Sequence, residues 1–77
     1  MMENVLSAFR QGSQNWRIVN RLCFGPVDNG ELIFKMRIGK YTGRLFECRK
    51  KIAKFGLDIK AERISNEHWR YRLERRT

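Results

Sequence analysis

In the C-terminal segment GLDIKAERISNEHWRYRLERR, residues 56–76, apolar side chains recur at every second position over two stretches, with polar or charged side chains between them. A period of two residues is typical of a β-strand, whose successive side chains point to opposite faces. The polar run SNEH interrupts the alternation, so the segment is predicted to form two antiparallel strands around a turn. The apolar positions are Leu57, Ile59 and Ala61 in the first strand and Trp69, Tyr71 and Leu73 in the second.

This predicted hairpin restricts what the rest of the chain can be. An isolated two-stranded hairpin is at best marginally stable in water, so its apolar face must pack against other elements. Alternation fails at Arg63-Ile64, where the first strand is expected to bend into the loop. The preceding residues must therefore form a helical layer under a ribbon with a mostly basic outer face. The basic side chains are Lys60, Arg70 and Arg72 on the outer face, with Arg63 and His68 near the loop.

The segment NWRIVNRLCF is predicted to form the first of three helices. Ser13 precedes it and can accept a hydrogen bond from the first turn of the helix. Gly25-Pro26 ends it, because glycine tolerates a left-handed terminus and proline cannot continue the hydrogen-bond ladder. The apolar residues that recur at three- and four-residue steps along this helix are Trp16, Val19, Leu22 and Cys23.

The segment ELIFKMRI, residues 31–38, is predicted to be a second, short helix that buries Leu32, Ile33 and Met36. A buried strand is the competing interpretation, because periodicity does not separate the two for so short an apolar run. The preceding VDNG is predicted to be a turn in which Asp28 or Asn29 caps the helix.

The segment TGRLFECRKKIAKFG, residues 42–56, has the clearest helical pattern in the chain. Thr42 is predicted to cap its N-terminus, and Gly56 to end it. Three lysines lie in its C-terminal half, where they favour the negative end of the helix dipole. The predicted core stripe of this helix is Leu45, Cys48, Ile52 and Phe55, and the lysines are Lys50, Lys51 and Lys54.

The chain has 77 residues and is predicted to be one domain, residues 1–77, of the α+β class but mostly α. Residues 1–12 are predicted to form an N-terminal arm or a short extra helix, because Val5, Leu6 and Phe9 recur at helical spacing. Three helices, a glycine-containing turn before the third, and a C-terminal two-stranded antiparallel hairpin follow the order of a winged helix-turn-helix. The hairpin would be the wing.

Charge is the strongest compositional feature. Seventeen Lys and Arg residues against eight Asp and Glu residues give a formal net charge of +9. Residues 1–38 contain five basic and three acidic side chains, whereas residues 39–77 contain twelve and five. Clustered positive charge of this size is the electrostatic pattern of nucleic-acid-binding proteins.

Other classes of function lack support in the sequence. Cys23 and Cys48 form no CxxC pair, so both are expected to be free thiols. Together with His68 they supply only three of the four ligands that a structural zinc ion needs, so no metal is expected. No other cofactor is expected either. No nucleophile is paired with a base and no phosphate-binding loop is present, so no enzymatic activity is predicted. Without a long apolar run or a signal-like N-terminus, no membrane association and a cytoplasmic location are expected.

The segment RLFECRKKIAKFGLDIKAERISNEHWRYRLE resembles the small winged helix-turn-helix proteins common in bacteriophages and prophages. The resemblance covers roughly residues 15–74 and is most specific over Gly56–Ile64 and Trp69–Leu73. It implies a basic recognition helix followed by a basic wing, and binding to double-stranded DNA in the nucleoid of a bacterial host. The implied role is that of a transcriptional regulator or an accessory factor in recombination or replication.

A helix-turn-helix places the start of its second helix against base edges in the major groove. Arg44 is the best candidate for direct readout, since a guanidinium can grip guanine as a fork. Lysines suit phosphates. Phe46 points away from the core stripe and is predicted to pack on the N-terminal segment; a thymine methyl or a dimer contact are the alternatives. The predicted DNA-binding residues are Lys40, Tyr41, Thr42, Arg44, Lys50, Lys51, Lys54, Arg63, Asn66, His68 and Arg70.

Two further partners follow from size and charge. A winged helix this small has a modest footprint, so useful specificity favours a homodimer or neighbouring bound copies. A positive surface also suits an acidic host protein, which makes a protein-interaction module the alternative function. Trp69 and Tyr71 share a strand face with Leu73 and are predicted to belong to the core, not to a platform for stacking bases.

Overall fold

The computed structural model describes residues 5–76, and within them helices lie on one face of a small antiparallel sheet. The α+β class is thus confirmed. In chain order the elements are α1 (Gln14–Leu22), β1 (Val27–Asp28), a π-helix (Glu31–Lys35), α2 (Tyr41–Ile52), a 3₁₀ turn (Ala53–Phe55), β2 (Leu57–Ser65) and β3 (His68–Arg75).

The sheet has three strands in the order β1-β3-β2, so the predicted two-stranded hairpin is extended by one strand. The added strand β1 lies in the segment that was predicted to be a turn. It pairs antiparallel with β3, with Val27 opposite Tyr71 and Asp28 opposite Arg70. Val27 is 1% exposed, so the pairing places an apolar side chain in the core and covers one edge of the hairpin.

The N-terminal residues pack into the core where the structure describes them. Val5 and Phe9 are buried. Their segment is a helical turn, in which the Ala8 amide donates to the Val5 carbonyl at 3.2 Å and the Phe9 amide donates to the Leu6 carbonyl at 3.1 Å. Residues 5–9 are therefore an integral part of the domain, and the rest of the predicted arm up to residue 4 lies outside the described residues.

Helix α1 forms where its sequence predicts. Ser13 Oγ accepts a hydrogen bond from the Trp16 amide at 3.2 Å, which confirms the predicted cap. The helix ends before Gly25, whose φ of +136° suits a residue without a Cβ. Its core face consists of Ile18, Val19 and Leu22, with Trp16 and Cys23 partly buried beside them.

The predicted second α-helix is a five-residue π-helix, Glu31–Lys35. The Met36 amide donates to the Glu31 carbonyl at 2.9 Å, which is the i→i+5 bond of this wider turn. Leu32 and, beyond the turn, Ile38 are buried, whereas Ile33 is 40% exposed. The chain leaves helical geometry early because Ile38 must enter the core, and it does so through a left-handed residue at Arg37, with φ +54°.

Helix α2 begins at Tyr41, one residue before the predicted cap, so the prediction that Thr42 is the N-cap is wrong. The cap position is Lys40, which is left-handed with φ +51° and makes no side-chain capping bond. Leu45, Cys48 and Ile52 are buried as predicted. Phe55 is not: it is 37% exposed, because the helix tightens into the 3₁₀ turn and rotates this side chain outward.

The hairpin projects from the body of the domain. Gly56 is left-handed, with φ +76°, and turns the chain from the 3₁₀ turn into β2. The β2–β3 register is irregular between Arg63 and Ser65, at the position where the alternation fails in the sequence. Ile59 is the last buried residue of β2, and residues 60–67 are all exposed. The distal half of the hairpin is thus available to a partner.

Candidate functional site

The exposed surface of α2 and the following 3₁₀ turn carries lysines that have no carboxylate partner. Each lysine lies beside a phenylalanine ring instead: Lys50 Nζ is 5.0 Å from the Phe46 centroid, Lys51 Nζ 5.4 Å from that of Phe9, and Lys54 Nζ 5.6 Å from that of Phe55. None of the ion pairs within residues 5–76 includes these three lysines or Lys40. These lysines therefore make no direct ion pair, although Lys51 lies near enough to Glu47 to contribute, after the hydrogen bond from Asn15 and the charge of Arg44, to lowering the pKa of that carboxyl.

The start of α2 is less open than the sequence suggests. Tyr41 is half-buried, with its ring edge-on to that of Tyr71 and the centroids 6.1 Å apart. Burial, and after it the contact with Tyr41, raises the pKa of Tyr71 to about 12. Tyr41 is therefore a packing residue. Arg44 is exposed and donates to Glu47 Oε1 at 3.5 Å, and Thr42 is exposed.

The outer face of the hairpin is electrically balanced, which corrects the expectation of a mostly basic face. Arg72 lies between two carboxylates, 4.0 Å from Glu62 and 3.5 Å from Glu74. Lys60 Nζ is 3.8 Å from Glu74. These side chains point away from the helices because alternate residues of a strand face opposite sides of the sheet. The face offers ion pairs instead of free cations.

His68 and Arg70, two of the predicted wing contacts, are held by Asp28 of β1. The Asp28 carboxylate lies 2.9 Å from His68 Nε2 and 3.2 Å from Arg70 Nε. The hydrogen bond with His68, followed by that with Arg70, lowers the pKa of Asp28 below its usual value. Both side chains therefore join β1 to β3 on the outer face of the sheet, apart from the lysines of α2.

Replacing Asp28 by asparagine should reduce stability in a pH-dependent way. Because the pKa of this carboxyl is lowered in the folded state, its stabilising effect is full above the unfolded pKa of about 4 and is lost as the pH falls through the folded pKa. The pairs are partly exposed, so we expect Asp28→Asn to lower the midpoint of thermal unfolding at pH 7 by about 2–6 °C. The difference from wild type should shrink towards pH 2.

The matched control for this experiment is Glu67→Gln. The Glu67 side chain makes no ion pair within residues 5–76, although its backbone carbonyl accepts from Asn29 at 2.9 Å. The thermal midpoint of Glu67→Gln should equal that of wild type at both pH 7 and pH 2. A constant deficit of Asp28→Asn from pH 7 to pH 2 would contradict the proposed ionic bridge.

Arg63 and Asn66 lie at the tip of the hairpin and contact each other. Arg63 Nη2 donates to Asn66 Oδ1 at 2.9 Å, and Arg63 Nε donates to the Ser65 carbonyl at 3.4 Å. Arg63 pairs with Trp69 in the register, so it belongs to the face of the sheet that also bears Tyr71. It is the one predicted wing cation that lies on the helix side of the hairpin.

A groove of about 200 Å³ separates α2 from the hairpin. Thr42, Phe46 and Arg49 line it from the helix, and Ala61 and Tyr71 line it from the sheet. The Arg49 guanidinium is engaged by Asp58, at 2.9 Å from Nε to Oδ1. The lining is largely apolar, and the exposed Lys50 lies beside it, because its ammonium is 5.0 Å from the centroid of the Phe46 ring.

The predicted site residues thus separate into three groups. The structure places the lysines of α2 towards the base of the hairpin, where Arg49 meets Asp58, and Arg63 and Asn66 at its tip. It separates from them His68 and Arg70 on the outer face. Among the predicted site residues, the cations without an ion pair within residues 5–76 therefore lie in two places, on α2 with its preceding and following turns and at the tip of the hairpin.

Sequence reasoning missed three features of this surface. Phe46 is 59% exposed and lines the groove between α2 and the hairpin. Gly43 lies in the first turns of α2 with open space around it. Arg75 and Arg76 lie beside the end of the 3₁₀ turn, because the Arg76 amide donates to the Gly56 carbonyl at 2.9 Å. Gly43 was detectable, since glycine inside a helix is unfavourable.

Within residues 5–76 no three His, Cys, Asp or Glu side chains converge as a metal ion would require. Both cysteines are free thiols, and burial raises the pKa of Cys48 to about 12, which suppresses its reactivity. No helix in the same part of the chain has the length and hydropathy needed to cross a membrane.

Comparison with known proteins found no matching protein-family model, no matching curated protein and no matching solved structure.

Proposed function

We propose that this protein binds double-stranded DNA through the exposed surface of α2 and the tip of the hairpin. The observation that carries the proposal is the distribution of charge compensation. Carboxylates neutralise the outer face of the sheet, whereas Lys40, Lys50, Lys51 and Lys54 make no ion pair within residues 5–76. Burying one strip of unpaired cations against phosphates releases counterions and favours binding.

The shape of the molecule supports the same partner. An α-helix with its side chains is about 10–12 Å across and fits the B-DNA major groove, about 12 Å wide, but not the narrow major groove of A-form RNA. Helix α1, the short helical turn, α2 and the projecting hairpin follow each other in the order of a winged helix. With α2 in the major groove, Arg63 and Asn66 at the tip would reach the adjacent backbone or minor groove.

The individual side chains suit different parts of the duplex. Lys50, Lys51 and Lys54 are flexible point charges that would contact phosphates and position the protein. Arg44, near the helix start, would read a base edge once its weak contact with Glu47 opens. Tyr41, His68 and Arg70 would act through packing and strand pairing, which removes them from the direct interface.

The resemblance to phage and prophage winged-helix proteins supports a role as a transcriptional regulator or as an accessory factor in recombination or replication. Such a protein would act in the bacterial cytoplasm, at the nucleoid. A domain of this size reads few base pairs, so two copies, as a homodimer or side by side, would supply the specificity.

Titration against a random-sequence duplex at several salt concentrations tests the proposal. For a protein that makes many phosphate contacts, we expect affinity to fall by about 10³–10⁵-fold between 50 and 200 mM salt. The logarithm of the binding constant should fall linearly with the logarithm of salt concentration. Absence of binding at 50 mM salt would refute DNA binding.

A second candidate function is docking on an acidic protein of the host. The observation that favours it is the exposure of two aromatic side chains outside α2, Phe24 at 81% and Phe34 at 78%. Exposed aromatics are enriched in the centres of protein interfaces. Pull-down from nuclease-treated lysate separates the candidates, because a stoichiometric protein retained at moderate salt favours docking and loss of all partners favours DNA.

A further inference from the structure

Phe46 occupies an unusual position for a large apolar side chain. It lies in the middle of α2, is 59% exposed, and lines the groove between the helix and the hairpin. The Lys50 ammonium lies 5.0 Å from its ring centroid, so the ring and a positive charge are presented together. A single exposed phenylalanine is ordinary by itself. Two neighbours on α2, Gly43 and Lys50, distinguish Phe46 from such a residue.

Gly43 stands one turn before Phe46 on the outward side of α2. Its φ lies outside the left-handed region, and a Cβ added there would meet no atom within 4 Å. Neither a turn nor internal packing therefore calls for glycine at this position. Glycine is less favourable than alanine inside a helix, and one of its uses is to let another molecule approach the backbone closely. Because Gly43 has no side chain, another molecule could approach the backbone of α2 closely at this point, beside the exposed Phe46 ring.

The charges around this surface select the kind of molecule that approaches. Lys50, beside the Phe46 ring, makes no ion pair within residues 5–76, and neither does Arg63 near the tip of the hairpin. A partner that suits this surface is anionic and presents a small apolar group to Phe46. The major groove of duplex DNA does both, because the thymine 5-methyl group projects into it between the phosphate backbones, and phenylalanine is among the side chains that contact it.

Resting on the proposed function, we infer that Gly43, Phe46 and Lys50 form a reading strip that recognises thymine by its 5-methyl group. Phe46 contacts the thymine methyl group, and Gly43 lets the helix approach the edges of the bases. Lys50 packs against the Phe46 ring, and its ammonium faces the phosphate backbone of the DNA. Thymine, and not merely negative charge, would then determine where the protein binds.

The test compares thymine with 2′-deoxyuridine, which lacks only the methyl group. Duplexes selected from a random pool are resynthesised with deoxyuridine at each thymine in turn; if no sequence is enriched, the whole pool is made with one base or the other. For wild type we expect deoxyuridine at the contacted position to weaken binding about 3- to 5-fold, the effect of losing one buried methyl contact. Phe46→Ala should bind both duplexes equally, and Phe46→Leu should retain the preference.

Two further variants separate this role from a structural one. Phe34→Ala removes an even more exposed ring outside the strip and should keep the wild-type preference. Gly43→Ala should raise the thermal midpoint by about 3–6 °C, since alanine favours the helix, while it weakens duplex binding. A stabilised Gly43→Ala protein with unchanged affinity would argue against close approach of the helix.

The outcomes distinguish this inference from the proposed function. Duplex binding with equal affinity for thymine and deoxyuridine overturns the reading strip and leaves DNA binding intact. Loss of the preference in Phe34→Ala as well as in Phe46→Ala also overturns it. No duplex binding at low salt, together with binding of a polyglutamate peptide that Phe46→Ala abolishes, assigns the strip to an acidic protein and overturns both.

Discussion

Replacing Lys50, Lys51 and Lys54 together by glutamine is expected to weaken duplex DNA binding about 10²–10³-fold near 0.1 M salt. Each lysine that contacts a phosphate releases roughly one counterion, so the slope of log affinity against log salt should become shallower by about 2.7. The folded structure should persist, because all three side chains are exposed and make no ion pair within residues 5–76. Salt titration of both proteins, with circular dichroism to verify folding, measures the effect.

The matched control removes the same charge from the other side of the molecule. Replacing Lys60, Arg70 and Arg72 by glutamine also takes three positive charges from a formal net charge of +9. These side chains are engaged by carboxylates on the outer face of the sheet, so the slope should change by less than about 1. Equal losses in both variants would show that net charge, and not the surface of α2, determines binding.

Replacing Ile52 by alanine should be the most destabilising single change at a core position of α2. Ile52 is 0% exposed at the end of the helix, just before the chain turns towards the hairpin. Removing three buried carbons loses their transfer free energy and leaves a cavity, which together cost about 2–5 kcal/mol. A domain of this length has a free energy of unfolding of only about 4–12 kcal/mol, so a large part of its stability is lost. Urea unfolding monitored by tryptophan fluorescence measures the change.

Ile33→Ala is the control for this prediction, because it deletes the same atoms from a side chain that is 40% exposed on the π-helix. We expect it to lower the free energy of unfolding by less than about 1 kcal/mol. If both substitutions lower the free energy of unfolding by the same amount, then Ile52 is not a core residue and the placement of α2 against the sheet is wrong.

The local sequence pattern was sufficient to predict structure where a single residue type determines the backbone conformation, or where apolar residues recur with one clear period. Ser13 caps α1, Gly56 ends the helical segment, and the β2–β3 register is disturbed at Arg63, all as the sequence predicts. The strand β1 could not be found this way. Two residues are too few to show a period, and Val27 becomes a strand residue only because Tyr71 is beside it.

The candidate site was predictable in its helix and not in its hairpin. Lysines that point away from an amphipathic stripe are exposed whatever the helix packs against, so Lys50 and Lys54 could be assigned from spacing. Whether an arginine is free or neutralised depends on the strand opposite, and Asp28 reaches His68 and Arg70 only through the pairing of β1 with β3. Phe46 is exposed, as its helical angle predicts, but its place at a groove depends on Ala61 and Tyr71 of the hairpin.

The sequence by itself determined the α+β class, the two main helices, the hairpin and the excess of positive charge. Each of these depends on side-chain period, on glycine and capping residues, or on composition, which are local properties of the chain. Only the tertiary structure decided the third strand, the π-helix and the pairing of charges on the hairpin. These depend on contacts between residues far apart in sequence, such as Asp28 with Arg70, whose free energies no local pattern encodes.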